Sequence, residues 1–203
     1  MSRTGETPIR GAIFDMDGTL IDSKLDFDAM RRDMHLPDGL PILESLQATP
    51  PGPELEFRLK VLREHELRGV ECATVIPGAA EMLAMLREWG WPTGILTRNS
   101  RVSTDAMLDR LNLKLDLVLT RDDAPPKPDP TGLLQIASAW QIAPLELLFC
   151  GDYLFDVQAG QRAGMATILY WPGDPLPDFH GEADHVLRDY AEAEELLARL
   201  GGR

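Results

Sequence analysis

Five short apolar runs, Gly11–Asp17, Thr93–Thr97, Leu115–Leu119, Leu147–Asp152 and Ala166–Tyr170, recur along this chain with helical patterns between most of them. Such alternation predicts an α/β fold, a Rossmann-like parallel sheet with helices on both faces. The crossover helices are expected at Ala79–Trp89, Arg101–Leu111, Pro130–Trp140 and Asp156–Ala163, with Ala191–Leu200 closing the chain. In the first of these, Ala80, Leu83 and the pair Ala84/Leu86 form an apolar stripe after the Pro77-Gly78 start signal. Gly90, Gly164 and Gly201 fall where helix C-termini are expected.

One segment breaks the rhythm. From Lys24 to Val75 there are about fifty residues without a strand signal, where a strand-to-helix connection normally takes a handful. Phe27, Met30 and Met34 share one helical face, as do Leu55, Leu59 and Leu62, and Pro50-Pro51-Gly52-Pro53 separates the two. These residues are read as the core of a small all-helical cap inserted after the first strand. The expected division is a catalytic core of residues 1–23 and 76–203 and a cap of residues 24–75.

Composition narrows the partners. The chain has 203 residues, one domain with room for a modest insertion. Its formal net charge is -13, from 20 Lys and Arg against 33 Asp and Glu. That balance argues against a broad nucleic-acid or anionic-membrane surface, so an anionic substrate needs local help from a metal and a few placed cations. No apolar stretch reaches membrane-spanning length, and residues 1–6 hold no signal-peptide core, which predicts a cytoplasmic protein. Cys72 and Cys150 lack metal-ligand spacing and are expected as reduced thiols in or near the core.

The chemistry lies at the strand ends. Asp15-Met16-Asp17-Gly18-Thr19 follows the apolar Ala12-Ile13-Phe14, which sets two carboxylates beside a buried strand. Such a pair repels itself and loses hydration, so it calls for a metal or a shared proton; a plain β-turn is the simpler reading of Asp-Gly alone. Thr97, followed by Arg98, Asn99 and Ser100, ends the next core strand where a hydroxyl and backbone N–H groups can hold a phosphoryl oxygen, although taken alone these residue types read first as helix-cap and turn residues. Lys127 stands among Pro125, Pro126, Pro128 and Pro130, which stiffen its loop and aim one ammonium at the same sheet edge as Asp15. Asp152 ends the run Leu147–Asp152 and can complete with Asp15 the oxygen-rich site that Mg²⁺ prefers. Asp156 is either a helix cap or a partner for Lys127.

With these four motifs in order, Asp15-Met16-Asp17-Gly18-Thr19, Thr97, Lys127-Pro128 and Gly151-Asp152 with Asp156, the chain resembles the haloacid dehalogenase-like superfamily of aspartate-nucleophile phosphohydrolases over nearly its whole length. Asp22-Ser23, Pro77-Gly78 and the helical insertion are similar to the subgroup of phosphoglycolate phosphatases and beta-phosphoglucomutases. The resemblance implies that Asp15 attacks phosphorus to form an aspartyl-phosphate, and that Asp17 protonates the leaving oxygen and later deprotonates water. It implies Mg²⁺ held by Asp15, the Asp17 backbone carbonyl and Asp152, with Thr97, Lys127 and the neighbouring Arg98 and Asn99 facing the phosphate.

The expected activity is therefore Mg²⁺-dependent hydrolysis of a small phosphorylated metabolite. A sugar phosphomutase on the same scaffold and a non-catalytic phosphate-binding regulator are the alternatives. Haloalkanoate dehalogenation is disfavoured because it has no use for the acid at Asp17, and a dehydrogenase because GxGxxG is absent. In the cap, Arg31, Arg32, His35 and Arg63 are candidates for reading the leaving group. Oligomeric state leaves no trace in the sequence.

Overall fold

The computed structural model describes residues 7–202; residues 1–6, expected to lead into the first strand, lie outside them. In chain order the elements are β1 (Gly11–Phe14), β2 (Ile21–Asp22), α1 (Phe27–Asp33), α2 (Ile42–Ala48), α3 (Pro53–Cys72), β3 (Thr74–Val75), α4 (Ala79–Glu88), β4 (Thr93–Leu96) and α5 (Arg101–Leu111). They continue with β5 (Leu117–Leu119), α6 (Thr131–Trp140), β6 (Leu147–Gly151), α7 (Leu154–Ala163), β7 (Ala166–Tyr170), β8 (His185–Leu187) and α8 (Ala193–Leu200). Six strands form a sheet in the order β5-β4-β1-β6-β7-β8, and every neighbouring pair is parallel.

The sheet is buried on both faces because successive residues of a strand point to opposite sides. Ala12 and Phe14 of β1 pack into one layer with Met82, Leu83 and Leu86 of α4, Met107 of α5 and Leu197 of α8. Between them, Ile13 points into the other layer, against Leu133 and Ile136 of α6 and Ala159 and Ala163 of α7. This explains why the strands read as continuous apolar runs rather than as alternating ones. β1 lies between β4 and β6, so the chain winds away from it in both directions and the loops after β1, β4 and β6 meet at one crevice.

Three helices fill the insertion. The Asp26 side chain caps α1 by accepting from the Ala29 amide at 2.8 Å, and α3 starts on Pro53, where a missing N–H costs nothing. Met30, Met34, Leu36, Leu46, Val61 and Leu62 make the insertion's own core. Two residues expected there face outward instead: Phe27 and Leu59 are exposed. Contrary to the expectation of a strandless segment, Thr74 and Val75 pair antiparallel with Asp22 and Ile21, so the insertion leaves and returns through a two-stranded ribbon. β8 was also unforeseen, being only three residues after a Pro- and Gly-rich loop. Cys150 is buried as expected, whereas Cys72, at the end of α3, is exposed. Among the described residues no helix is long and apolar enough to cross a membrane.

Candidate active site

Asp15 sits one residue beyond β1, and its amide continues the ladder by donating to the Cys150 carbonyl at 2.8 Å. The chain then turns at Gly18, whose φ is +77°. A β-carbon on Gly18 would stand 2.2 Å from Asp152 Oδ2, so only glycine lets the first loop approach the carboxylate that follows β6. Gly151 has the same duty toward Asp156, whose Cβ would be 2.4 Å from an added β-carbon. From the C-terminal part of the chain, the buried Tyr190 hydroxyl donates to the Thr19 carbonyl at 2.8 Å and steadies the far end of the loop.

Lys127 is only 3% exposed and is clasped between two carboxylates. Its Nζ bonds Asp15 Oδ1 and lies 2.7 Å from Asp156 Oδ1. Asp156 Oδ2 accepts the Tyr153 amide at 2.9 Å. Asp156 is thus both the helix-start acceptor and the partner of Lys127, and the two readings of its sequence position coexist. The carboxylates of Asp15, Asp152 and Asp156 offer oxygen atoms all within 4.8 Å of one another. Both oxygens of Asp156 are engaged, Oδ1 by Lys127 and Oδ2 by the Tyr153 amide, whereas Lys127 meets only Oδ1 of Asp15, so Asp15 and Asp152 are the better placed to hold a cation. Their hard oxygen donors and crowded negative charge fit Mg²⁺.

The electrostatics follow from burial. Burial pushes Asp15 up to about 7, opposed by the Lys127 charge and reinforced by Asp156 and Asp17. Asp17 is pushed up to about 6, again mainly by burial, with the nearby Ser23 hydroxyl and the Lys127 charge acting the other way. Asp152 is raised well above the ordinary carboxylate range by burial and by the charges of Asp15 and Asp156. Lys127 is raised because the attraction of Asp15 and Asp156 outweighs its own burial.

Asp17 stands apart from the acidic trio. Its Oδ2 accepts from Asn99 Nδ2 at 2.7 Å, and its buried Oδ1 has no hydrogen-bond partner. Asn99 is therefore placed against the acid, in a turn where the buried Thr97 Oγ1 accepts the Asn99 amide at 3.1 Å. Arg98 points elsewhere than toward a bare phosphate site. Its Nη2 contacts both oxygens of Glu44 on α2, at 2.7 and 2.8 Å, its Nη1 donates to the Lys127 carbonyl at 3.0 Å, and the guanidinium lies 5.2 Å from the centre of the Phe155 ring.

A pocket of about 480 Å³ joins these groups to the insertion. Asp15, Asp17, Thr97, Arg98, Asn99, Lys127, Asp152 and Asp156 line the core side. Across from them, Phe27, Met30, Ile42, Leu43 and Leu62 make an apolar wall. Of the four cationic candidates in the insertion, Arg31 lines this pocket and also pairs with Asp28 at 2.6 Å. Arg32, His35 and Arg63 are exposed and do not line it; His35 stacks on Phe57 instead, with ring centres 5.5 Å apart. Tyr153, half-exposed on the rim, meets Phe155 and Phe179 edge-on. Glu44, Glu66 and Arg121 were not singled out from sequence, because charged residues on surface-like helices and loops carry no local mark of the partner they will meet.

Comparison with known proteins agrees with the motifs. The family model described as haloacid dehalogenase-like hydrolase matches residues 9–164. A haloacid dehalogenase-like hydrolase domain-containing protein of Arabidopsis thaliana is 32% identical over 181 residues, covering 83% of this chain and 74% of its own. A phosphoglycolate phosphatase of Chromobacterium violaceum is 31% identical, with 93% of this chain and 96% of that one aligned. Among solved structures, a hydrolase from Pseudomonas syringae superposes with a TM-score of 0.78 at 22% identity, covering 94% and 98% of the two chains, which supports the fold. The chain belongs to the haloacid dehalogenase-like hydrolase family.

Proposed function

We propose that the protein is a Mg²⁺-dependent phosphatase that hydrolyses a small phosphorylated metabolite through an aspartyl-phosphate on Asp15. The observation that carries this reading is the meeting of Asp15, Asp17, Lys127 and Asp152 in one pocket, each delivered by a different loop or a different position of one loop. The phosphatase name of the Chromobacterium violaceum relative supports it.

In the first step a carboxylate oxygen of Asp15 forms a bond to phosphorus while the bond from phosphorus to the leaving oxygen breaks. Asp17 gives its proton to that departing oxygen, a role suited to a carboxyl that burial pushes up to about 6. In the second step Asp17 takes a proton from water, the water oxygen attacks phosphorus, and the bond to Asp15 breaks to release inorganic phosphate. Lys127 and Thr97 hold non-bridging oxygens. Asp15, Asp152 and the Asp17 carbonyl would hold Mg²⁺, which when bound would supply positive charge to offset the repulsion between carboxylate and phosphate. Residues 24–75 act as a cap on the core of residues 1–23 and 76–203, and their apolar wall receives the leaving group and keeps water from it.

Phosphate release from a panel of phosphomonoesters tests the reading. Release is expected with Mg²⁺, should fall to background in excess EDTA and should return when Mg²⁺ is restored. Undiminished release in EDTA sinks the metal assignment. Absence of release from every ester, or transfer of the phosphoryl group back to a sugar, sinks hydrolysis. Asp17→Asn keeps the nucleophile and loses the proton donor, so alkyl phosphates should lose at least about tenfold more rate than 4-nitrophenyl phosphate, whose leaving oxygen departs unprotonated. Equal losses on both would remove Asp17 from the acid-base role.

A further inference from the structure

Glu66 lies in the middle of α3, a place where a glutamate is ordinarily solvated, and yet it is only 2% exposed. It faces the core with every contact satisfied from there. Both nitrogens at the end of the Arg121 side chain reach it, Nη1 to Oε1 and Nη2 to Oε2 at 3.2 Å. The hydroxyls of Ser100 and Ser103, at the start of α5, donate to Oε2 at 2.8 and 3.3 Å. A carboxylate buried at this depth is tolerated only with such a full set of donors.

The contacts lead to the reacting groups. Arg121 grips the turn after β4 twice, its backbone amide donating to the Asn99 carbonyl at 3.1 Å and its Nη1 to the Arg98 carbonyl at 3.2 Å. Asn99 in turn donates to Asp17 Oδ2 at 2.7 Å. An unbroken line therefore runs from a side chain of the insertion, through Arg121 and the backbone of residues 98–99, to the carboxyl that handles the proton. Ser100, on the other side of the turn, is held by the same Glu66 oxygen.

We propose that Glu66 is a positioning residue for the reaction: by fixing Arg121 and Ser100 it shapes the Thr97–Ser100 turn and, through Asn99, aims Asp17. This rests on the phosphatase reading above and adds to it that the insertion completes the catalytic apparatus of the core as well as enclosing substrate. Glu66 lines the same pocket, but its side-chain contacts run to Arg121, Ser100 and Ser103 rather than to Asp15 or Lys127. Its effect is exerted on placement, where a displacement of about 1 Å far from the chemistry costs up to about a hundredfold in rate.

The experiment is Glu66→Gln, Arg121→Met and the double variant, assayed with Mg²⁺ on 4-nitrophenyl phosphate and on an alkyl phosphate that the wild type hydrolyses. Each single change should lower kcat on the alkyl ester by about ten- to a hundredfold, with KM moving less than about threefold, and should lower kcat on the aryl ester less. The double variant should be no worse than the poorer single, because both break one line. Arg121→Lys, which keeps the charge facing Glu66, should recover part of the loss. Arg121→Met, made from the more accessible side, carries the test if Glu66→Gln fails to fold. Equal losses on the two esters, a change confined to KM, or multiplying losses in the double variant overturns the proposal while leaving the phosphatase reading intact. A wild type that releases phosphate from no ester overturns both.

Discussion

Asp15→Asn should lower kcat by more than about a thousandfold while the protein stays folded. The amide keeps the shape of the carboxylate but cannot form a stable bond to phosphorus, and a thousandfold corresponds to about 4 kcal/mol of transition-state stabilisation. The fold survives because Lys127, which loses one partner, still has Asp156 at 2.7 Å. Removal of one of three crowded carboxylates also relieves repulsion. Acid-quenched turnover of labelled substrate should show a phosphorylated protein for wild type and none for the variant. A variant that retains more than about a thousandth of the wild-type rate rules out Asp15 as nucleophile, since positioning and charge alone do not supply more.

Lys127→Met should damage stability and activity together. The side chain is 3% exposed and faces Asp15 and Asp156. Methionine fills much of its volume but leaves two buried carboxylates without a counter-charge. Breaking a buried pair from one side costs about 3–5 kcal/mol, which for a chain of this size lowers Tm by about 6–20 °C. The phosphate also loses its buried cation, so kcat should drop by at least about a hundredfold. Adding Asp156→Asn to the variant should raise its Tm again, because the second change removes one of the charges the first exposed. Melting curves of the two single variants and the double decide this. A Tm within about 2 °C of wild type for Lys127→Met means that the cluster is not held together by this charge.

The residues that the sequence marked are those whose placement depends on where a strand ends. Asp15, Thr97 and Asp152 each follow an apolar run, and a parallel sheet with β1 at its turning point brings such ends together whatever lies between. Lys127 was legible because four prolines around it left few ways for its loop to run. Glu66 was not, since its meaning comes from Arg121, a residue 55 positions away on another part of the fold, and a glutamate on a charged helix looks solvated until its neighbours are placed. Phe27 shares a helical face with Met30 and Met34, but it sits in the first turn of α1, where that face runs out over the pocket instead of over the insertion's core. Helical periodicity predicts which residues point the same way; it does not say where the packed surface stops.

The ribbon of β2 and β3 is where the insertion leaves the core and returns to it. Ile21 and Asp22 pair with Val75 and Thr74, and the same short stretch is tied back to the first loop, with the Gly18 amide donating to the Ile21 carbonyl at 2.8 Å and the Ile76 amide to the Leu20 carbonyl at 3.0 Å. Asp17, bridged to Ile21, thus sits directly beside the point where the insertion joins the core. The insertion is tied to the core a second time, by Glu66 on α3 to Arg121 and Ser100, so both attachments lie close to the turn and the loop that carry Asn99 and Asp17. The joint that carries residues 24–75 and the loop that carries Asp17 therefore share their backbone hydrogen bonds, so neither can be altered without disturbing the other.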